Sequence, residues 1–405
     1  MPTRSKSAVS DQHGLREWLG RARPVPLLFA VVLALFLSRL ALQRSAHPFG
    51  WIALCWVGCF SSWALISRNV ALRVLGLNAA ILTLGAGISE TILLHREKLA
   101  ADTRHYDGAP PVKNDWLGSA FRPSSVIHAW HREGDRLLFD VRYTNDSFGL
   151  RIGPPLSVER PKGTVLFFGC SYAYGEGLND EATLPYQVGV ASGGSYRILN
   201  FAGGGYGPHQ MLSSLEHGLV DRVVGGDSVR YAVYEAIPEH VLRAVGRVPF
   251  QRHAPRYRIA NDGKLVFAGH FDDRSPNRLK RVGQEFERSA LYRFMAYQVP
   301  RLWPVPDSDL RTYLAIVSRS RDILRTKYPN IRFEVLLWGD GRDLEQRIAT
   351  GLDRLGIPVQ RVPEILPHFD EYLHGSRYRV SPDDIHPDSI ANAILARYLA
   401  SRVPD

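Results

Sequence analysis

Only three cysteines occur among 405 residues, and they do not form a set. Cys55 and Cys59 lie in one apolar run while Cys170 stands apart, which argues against a disulfide framework or a cysteine-rich zinc site. A lysine-rich tail is also missing. The formal charge is +10, but the basic residues are mostly arginines, scattered or flanking apolar segments. No basic stripe is interleaved with aromatics, so nucleic acid is not an expected partner. Positive charge beside a membrane is the simpler account. No internal repeat or low-complexity tract appears, and nothing suggests a metal or a cofactor.

What the first hundred residues do have is apolar length. The stretches run from about Val25 to Leu42 (interrupted by Arg39), from Trp51 to Ile66, and roughly from Val74 to Leu94, with Glu90 near its end. A membrane span takes about 20 mostly apolar residues, so each sits near the lower limit. Two further apolar stretches and no clear small-x-small cleavage site argue against a secretory signal peptide. Arg4, Lys6, Arg16, Arg21 and Arg23 precede the first stretch, and Arg68 and Arg73 lie between the second and third. The link between the first two offers mainly Arg44. The positive-inside rule then puts the N-terminus in the cytoplasm, and an odd number of spans leaves the rest of the chain outside. The expectation is a multi-pass inner-membrane protein with an extracytoplasmic domain. A third stretch lying only on the membrane surface would instead leave that domain in the cytoplasm.

Beyond the membrane region (1–95) a lead-in of mixed character spans 96–160. Arg136–Thr144 alternates like a strand, and Asn145-Asp146-Ser147 supplies a turn. From 161 to 405 the pattern changes. Thr164–Phe168 is a short continuous apolar run, as expected of a strand buried on both faces of a parallel sheet. Similar runs recur at Arg197–Phe201, Arg230–Tyr234, Arg332–Trp338 and Pro358–Val362, separated by helical stretches around Pro208–Val220 and Asp307–Lys327. That alternation predicts an α/β fold, an open three-layer α/β/α sandwich with a mostly parallel sheet. Residues 241–306, rich in arginine, proline and turns, read as an insertion that either shapes a substrate cleft or decorates the surface. It contains a hairpin at Tyr257–Phe267 around Asn261-Asp262-Gly263.

Three segments could carry chemistry. Phe168-Gly169-Cys170-Ser171 leaves the first strand of the sheet, and ligands of open α/β sheets bind beyond the carboxyl ends of strands. Ser171 is therefore either a nucleophile or the N-cap of the next helix. Near the other end, Asp383-Asp384-Ile385-His386-Pro387 precedes a helix. Asp383 can fold back to fix one imidazole nitrogen of His386 and leave the other free to accept a proton from a serine. Asn200-Phe201-Ala202-Gly203-Gly204-Gly205-Tyr206-Gly207 ends the second strand. Its glycines allow backbone N–H groups to approach a ligand closely, as an oxyanion hole requires. The Lys-Ser/Thr ending of a phosphate-binding P-loop is absent from it.

In this order the segments resemble the SGNH or GDSL hydrolase family, over about residues 160 to 402. The resemblance implies that Ser171 is the nucleophile, that Asp383 and His386 complete a triad, and that Gly205 helps bind the oxyanion. Asn200, Gly205, Gly207 and Gln210 look like the second block of bacterial membrane-associated members, so Asn200 is counted with the substrate-binding residues. Two positions depart from the family pattern. Cys170 stands where Gly-Asp-Ser has aspartate, and the third strand ends Glu235-Ala236-Ile237-Pro238-Glu239-His240, without the asparagine of the third block. His240 is either its substitute as oxyanion donor or a helix-start residue. The function this implies is a membrane-anchored serine esterase acting on O-acyl groups of a small molecule or glycan. The alternatives are an O-acyltransferase working with an envelope polysaccharide-modifying partner, or an inactive glycan-binding domain.

Overall fold

The computed structural model describes residues 24–248, 250, 252–273, 283, 285–298, 304–339 and 341–404. The basic residues Arg4, Lys6, Arg16, Arg21 and Arg23, on which the topology expectation rests, lie outside the described residues. The chain divides into two compact units. One comprises Met1–Ala100 with Ser275–Met295, and the other comprises Ala101–Arg274 with Ala296–Asp405. The expected lead-in thus belongs mostly to the second unit, and part of the expected insertion belongs to the first.

The first unit is built on helices α1 (Pro24–Arg44), α2 (Phe49–Ile66) and α3 (Val70–Thr103). All three are long and apolar enough to cross a membrane. Their large side chains, among them Phe29, Trp51 and Leu82, face outward, the distribution of a helix whose solvent is hydrocarbon. Glu90 of α3 is the exception. It is 2% exposed, and its carboxylate accepts hydrogen bonds from Ser289 Oγ (2.7 Å), Ala290 N (3.0 Å) and Leu291 N (2.8 Å).

In the second unit the antiparallel strands β1 (Arg104–Asp107), β2 (Val126–Glu133) and β3 (Arg136–Thr144) form a small sheet in the order β1-β2-β3. The main sheet follows. Its strands β4 (Thr164–Phe168), β5 (Arg197–Asn200), β6 (Val229–Ala236), β7 (Arg332–Leu337) and β8 (Val359–Arg361) are all parallel, in the order β8-β7-β6-β4-β5. Every residue of β4 is buried, which is why its sequence is a continuous apolar run rather than an alternating one. The pleat sends Leu166 and Phe168 into one core with Met211, Leu212, Tyr313 and Ile316. It sends Val165 and Phe167 into the other with Leu184, Val188, Leu395 and Leu399. Helices therefore cover both faces, as expected of the sandwich. The stretch read as one helix from Pro208 is two, α4 (Pro208–Glu216) and a further one at Leu219–Val224, separated at Gly218 with φ +68°.

The small sheet has its own function in the packing. Ile127, Ala129, Phe139 and Tyr143 form a third core with Ala173, Tyr174 and Ala202. It is built directly against the turns that leave β4 and β5.

Candidate active site

Ser171 opens a single helical turn, Ser171–Tyr174, at the carboxyl end of β4. Gly169 makes that exit possible. A Cβ there would stand 2.9 Å from both the Glu235 carbonyl oxygen and Ala173 Cβ, so a side chain would wedge β4 away from β6. The turn closes at Gly175 in the left-handed region (φ +86°), which costs glycine little. Its carbonyls are then held from behind by Arg151, itself 1% exposed. Nη1 donates to the carbonyls of Tyr174 (3.2 Å) and Gly175 (3.1 Å). Nη2 donates to Leu178 (2.6 Å) and Arg142 (3.3 Å), and Nε pairs with Asp180 at 2.7 Å. The rings of Tyr143 and Tyr174 lie 4.2 and 5.0 Å from the guanidinium carbon.

The imidazole of His386 comes from a hairpin of β9 (Arg379–Ser381) and β10 (Asp384–Pro387). Its Nε2 lies 2.8 Å from Ser171 Oγ, close enough to accept the hydroxyl proton. Its Nδ1 lies 2.5 Å from Asp384 Oδ1. Asp383, expected at this position, is not there. It sits at the hairpin tip, half-exposed, and pairs with Arg136 at 2.6 Å. The reason is the strand. Alternate residues of a strand share a face, so Asp384 and His386 point the same way, whereas the expected fold-back needed a turn where β10 is extended. The helix after it begins at Ser389 with Asp388 as N-cap, accepting from Ala391 N at 2.8 Å. A second brace links the hairpin to the Ser171 turn. The hydroxyls of Tyr172 and Tyr372 are 2.9 Å apart, and Tyr372 donates to the Ile385 carbonyl at 2.6 Å.

Ser171 and His386 line a cavity of about 480 Å³ together with Gly204, Gly205 and Ile237. Gly205 has φ +75°, and among the described residues neither its N–H nor that of Ser171 donates to a protein acceptor. Asn200 does not line the cavity. Its amide donates to the Ala173 carbonyl (2.8 Å) and its oxygen accepts from Ala202 N (3.1 Å), tying the two loops together instead of facing a ligand. His240 is not a donor into the cavity either. It is fully buried, stacks on Tyr234 and shares a 2.6 Å hydrogen bond between Nδ1 and the Tyr234 hydroxyl. Burial first, then Arg243 and His209, hold its pKa far below the ordinary histidine range. It is a neutral core histidine.

The remaining walls come from side chains that were not singled out as candidates in the sequence. Tyr106, Phe121, Tyr206, Phe250 and Tyr297 supply aromatic faces, and Glu176, Glu239 and Arg243 supply polar groups. Tyr106 donates to Glu176 (2.5 Å) and Tyr297 donates to Glu239 (2.8 Å). Arg243, Phe250 and Tyr297 come from the expected insertion, so that segment shapes the cleft. Among the described residues no cluster of three His, Cys, Asp or Glu side chains could hold a metal ion.

Behind the site, Glu235, the last residue but one of β6, has no exposure and accepts from Trp338 Nε1 at 2.6 Å. Burial raises its pKa from 4.5 to about 7. Below about pH 4.5 the carboxyl is protonated whether the chain is folded or not. Between about pH 4.5 and 7 the folded chain keeps a proton that the unfolded chain has lost, so stability falls through that window and levels off above it. At about 1.4 kcal/mol per pKa unit, the ionised carboxylate costs on the order of 3 kcal/mol. Glu235→Gln is expected to melt several degrees above the wild type at pH 8 and together with it at pH 4.5. A gap that does not change with pH would contradict this account.

No protein-family model and no curated protein sequence matches the chain. Among solved structures, an acetyl xylan esterase from the rumen bacterium Butyrivibrio proteoclasticus is 11% identical with a TM-score of 0.35, covering 76% of this chain and 96% of its own. A carbohydrate esterase is 10% identical with a TM-score of 0.34, covering 74% and 96% respectively. To these is added a G-D-S-L family protein from Desulfitobacterium hafniense DCB-2 to which this chain is similar at 12% identity and a TM-score of 0.32, over 60% of this chain and 100% of the other.

Proposed function

We propose that the chain is a membrane-anchored serine esterase of the SGNH type that removes O-acyl groups from a carbohydrate through an acyl-enzyme. The observation that carries the reading is the Ser171–His386–Asp384 relay at one cavity, with contacts of 2.8 and 2.5 Å. Ser171 Oγ attacks the ester carbonyl while His386 Nε2 takes its proton, and Asp384 stabilises the imidazolium. The tetrahedral oxygen is met by the N–H groups of Ser171 and Gly205. His386 returns the proton to the departing sugar oxygen as the acyl-enzyme forms. Water then attacks the acyl carbon, giving a proton to His386, and Ser171 leaves with that proton as the carboxylic acid departs.

Aromatic walls with a few polar groups suit a sugar, whose C–H faces pack on rings while its hydroxyls meet Glu176 and Glu239. Three apolar helices, read with the positive-inside rule, anchor the enzyme in the inner membrane with this cavity on the extracytoplasmic side. The test uses the full chain in detergent. A fluorophosphonate probe should label the wild type and fail to label Ser171→Ala, and acetylated xylan should release acetate only with the wild type. Undiminished labelling of Ser171→Ala would remove the basis for the assignment. Transfer of the acetyl group to an added oligosaccharide in preference to water would reassign the same serine to acyl transfer.

A further inference from the structure

We propose that Arg243 is the third oxyanion-stabilising group, its guanidinium supplying the charge that no side-chain amide supplies at the exit of β6. The proposal rests on the serine-esterase reading above.

The exit of β6 carries Ile237 into the cavity, an apolar side chain with nothing to donate. Six residues later Arg243 reaches the same cavity from helix α5 (His240–Ala244). It lies between the two loops whose N–H groups would meet the oxyanion. Nη1 donates to the carbonyl of Tyr206, the residue after Gly205, at 2.8 Å. On the other side its charge acts on the thiol of Cys170, the residue before Ser171, lowering that thiol's pKa against a larger upward push from burial.

Arg243 is 7% exposed, and Cys170 and Glu239 hold its charge against the cost of burial. Glu239 meets Nη2 through one 3.3 Å contact rather than a two-pronged fork, and the other carboxylate oxygen accepts from Tyr297. Nε has no hydrogen-bond partner among the described residues. The ring of Phe250 lies 5.3 Å from the guanidinium carbon and fixes its plane. A cation already fixed in place suits a developing negative charge, since no reorganisation is needed when the charge forms. Arginine also keeps its proton at any working pH.

The experiment measures turnover of para-nitrophenyl acetate, and inhibition by phenylboronic acid, with the full chain in detergent. The boronate adduct of a serine is tetrahedral and anionic, so its affinity reports oxyanion stabilisation directly. Arg243→Gln is expected to lower kcat about 100-fold, the scale of losing one oxyanion donor. KM should stay within about threefold, and boronate affinity should fall by a factor similar to that in kcat. Arg243→Lys, which keeps the charge, should retain kcat within about tenfold of the wild type.

Wild-type kcat in Arg243→Gln overturns the proposal. So does a fall in kcat with unchanged boronate affinity, which would mark Arg243 as a structural prop. If Arg243→Gln fails to melt cooperatively, Arg243→Lys decides, and a loss beyond about 100-fold in a folded Lys variant also overturns it. Ser171→Ala, assayed in parallel, separates the two levels. Turnover surviving in Ser171→Ala sinks the serine reading itself, whereas a silent Ser171→Ala beside a fully active Arg243→Gln sinks only the role of Arg243.

Discussion

Asp384→Asn is expected to lower kcat by about 10⁴-fold, and Asp383→Asn to leave it within a few-fold of the wild type. A carboxylate beside Nδ1 keeps the imidazole in the tautomer that can accept from serine, and it stabilises the imidazolium that follows. An amide of the same shape can hold the wrong tautomer, and losses of about 10⁴ are the scale seen for such a change. Asp384 is placed for that task, being 4% exposed with Oδ1 2.5 Å from His386 Nδ1. Asp383 meets Arg136 at the surface, where an ion pair contributes at most about 1 kcal/mol to stability. Steady-state kinetics on para-nitrophenyl acetate with both variants checks the pair. Equal losses in the two, or the larger loss in Asp383→Asn, would restore the reading in which the aspartate three residues before the histidine is the partner.

Arg151→Met should destabilise the protein by about 3–5 kcal/mol, the cost of removing one partner from a buried charge pair. The side chain is almost wholly enclosed and serves four carbonyls as well as Asp180. Methionine fills much of the volume but leaves those acceptors without a donor, and Asp180 keeps an unpaired charge. A domain of this size shifts its melting temperature by about 2–4 °C per kcal/mol, so a fall of roughly 10 °C is expected in a thermal scan of the full chain. Because the carbonyls of Tyr174 and Gly175 belong to the Ser171 turn, surviving folded protein should also lose turnover. A shift below about 2 °C would mean that water replaces the guanidinium without cost.

The sandwich was legible because its strands are buried on both faces. Phe167 and Phe168 point into opposite cores, so no polar alternation blurred the run from Thr164. Ser171 and His386 were legible because each follows a recognisable local feature. The partner of His386 was not, since Asp383 and Asp384 differ only in whether the backbone is turned or extended, and two adjacent aspartates look alike in sequence. A strand reading of Asp384–Pro387 would have found it. Asn200 turns inward, and of the two readings of His240 the helix-start one holds; residue type states what a side chain can bond, not which way it faces. Phe121 and Tyr297 lie about 50 and 125 residues from Ser171 in the chain, and only the three-dimensional packing of the turns brings such positions to one cavity.

Glu90 also sets an order of assembly. An acidic side chain within an apolar helix is costly in lipid until something hydrogen-bonds it. Its three donors, Ser289 Oγ and the N–H groups of Ala290 and Leu291, lie 199 to 201 residues further along the chain. At a synthesis rate of about 5–20 residues per second, the third helix must wait on the order of ten seconds or more for the partner that completes it. The helical unit is therefore completed late, by a segment translated after three of the five strands of the parallel sheet.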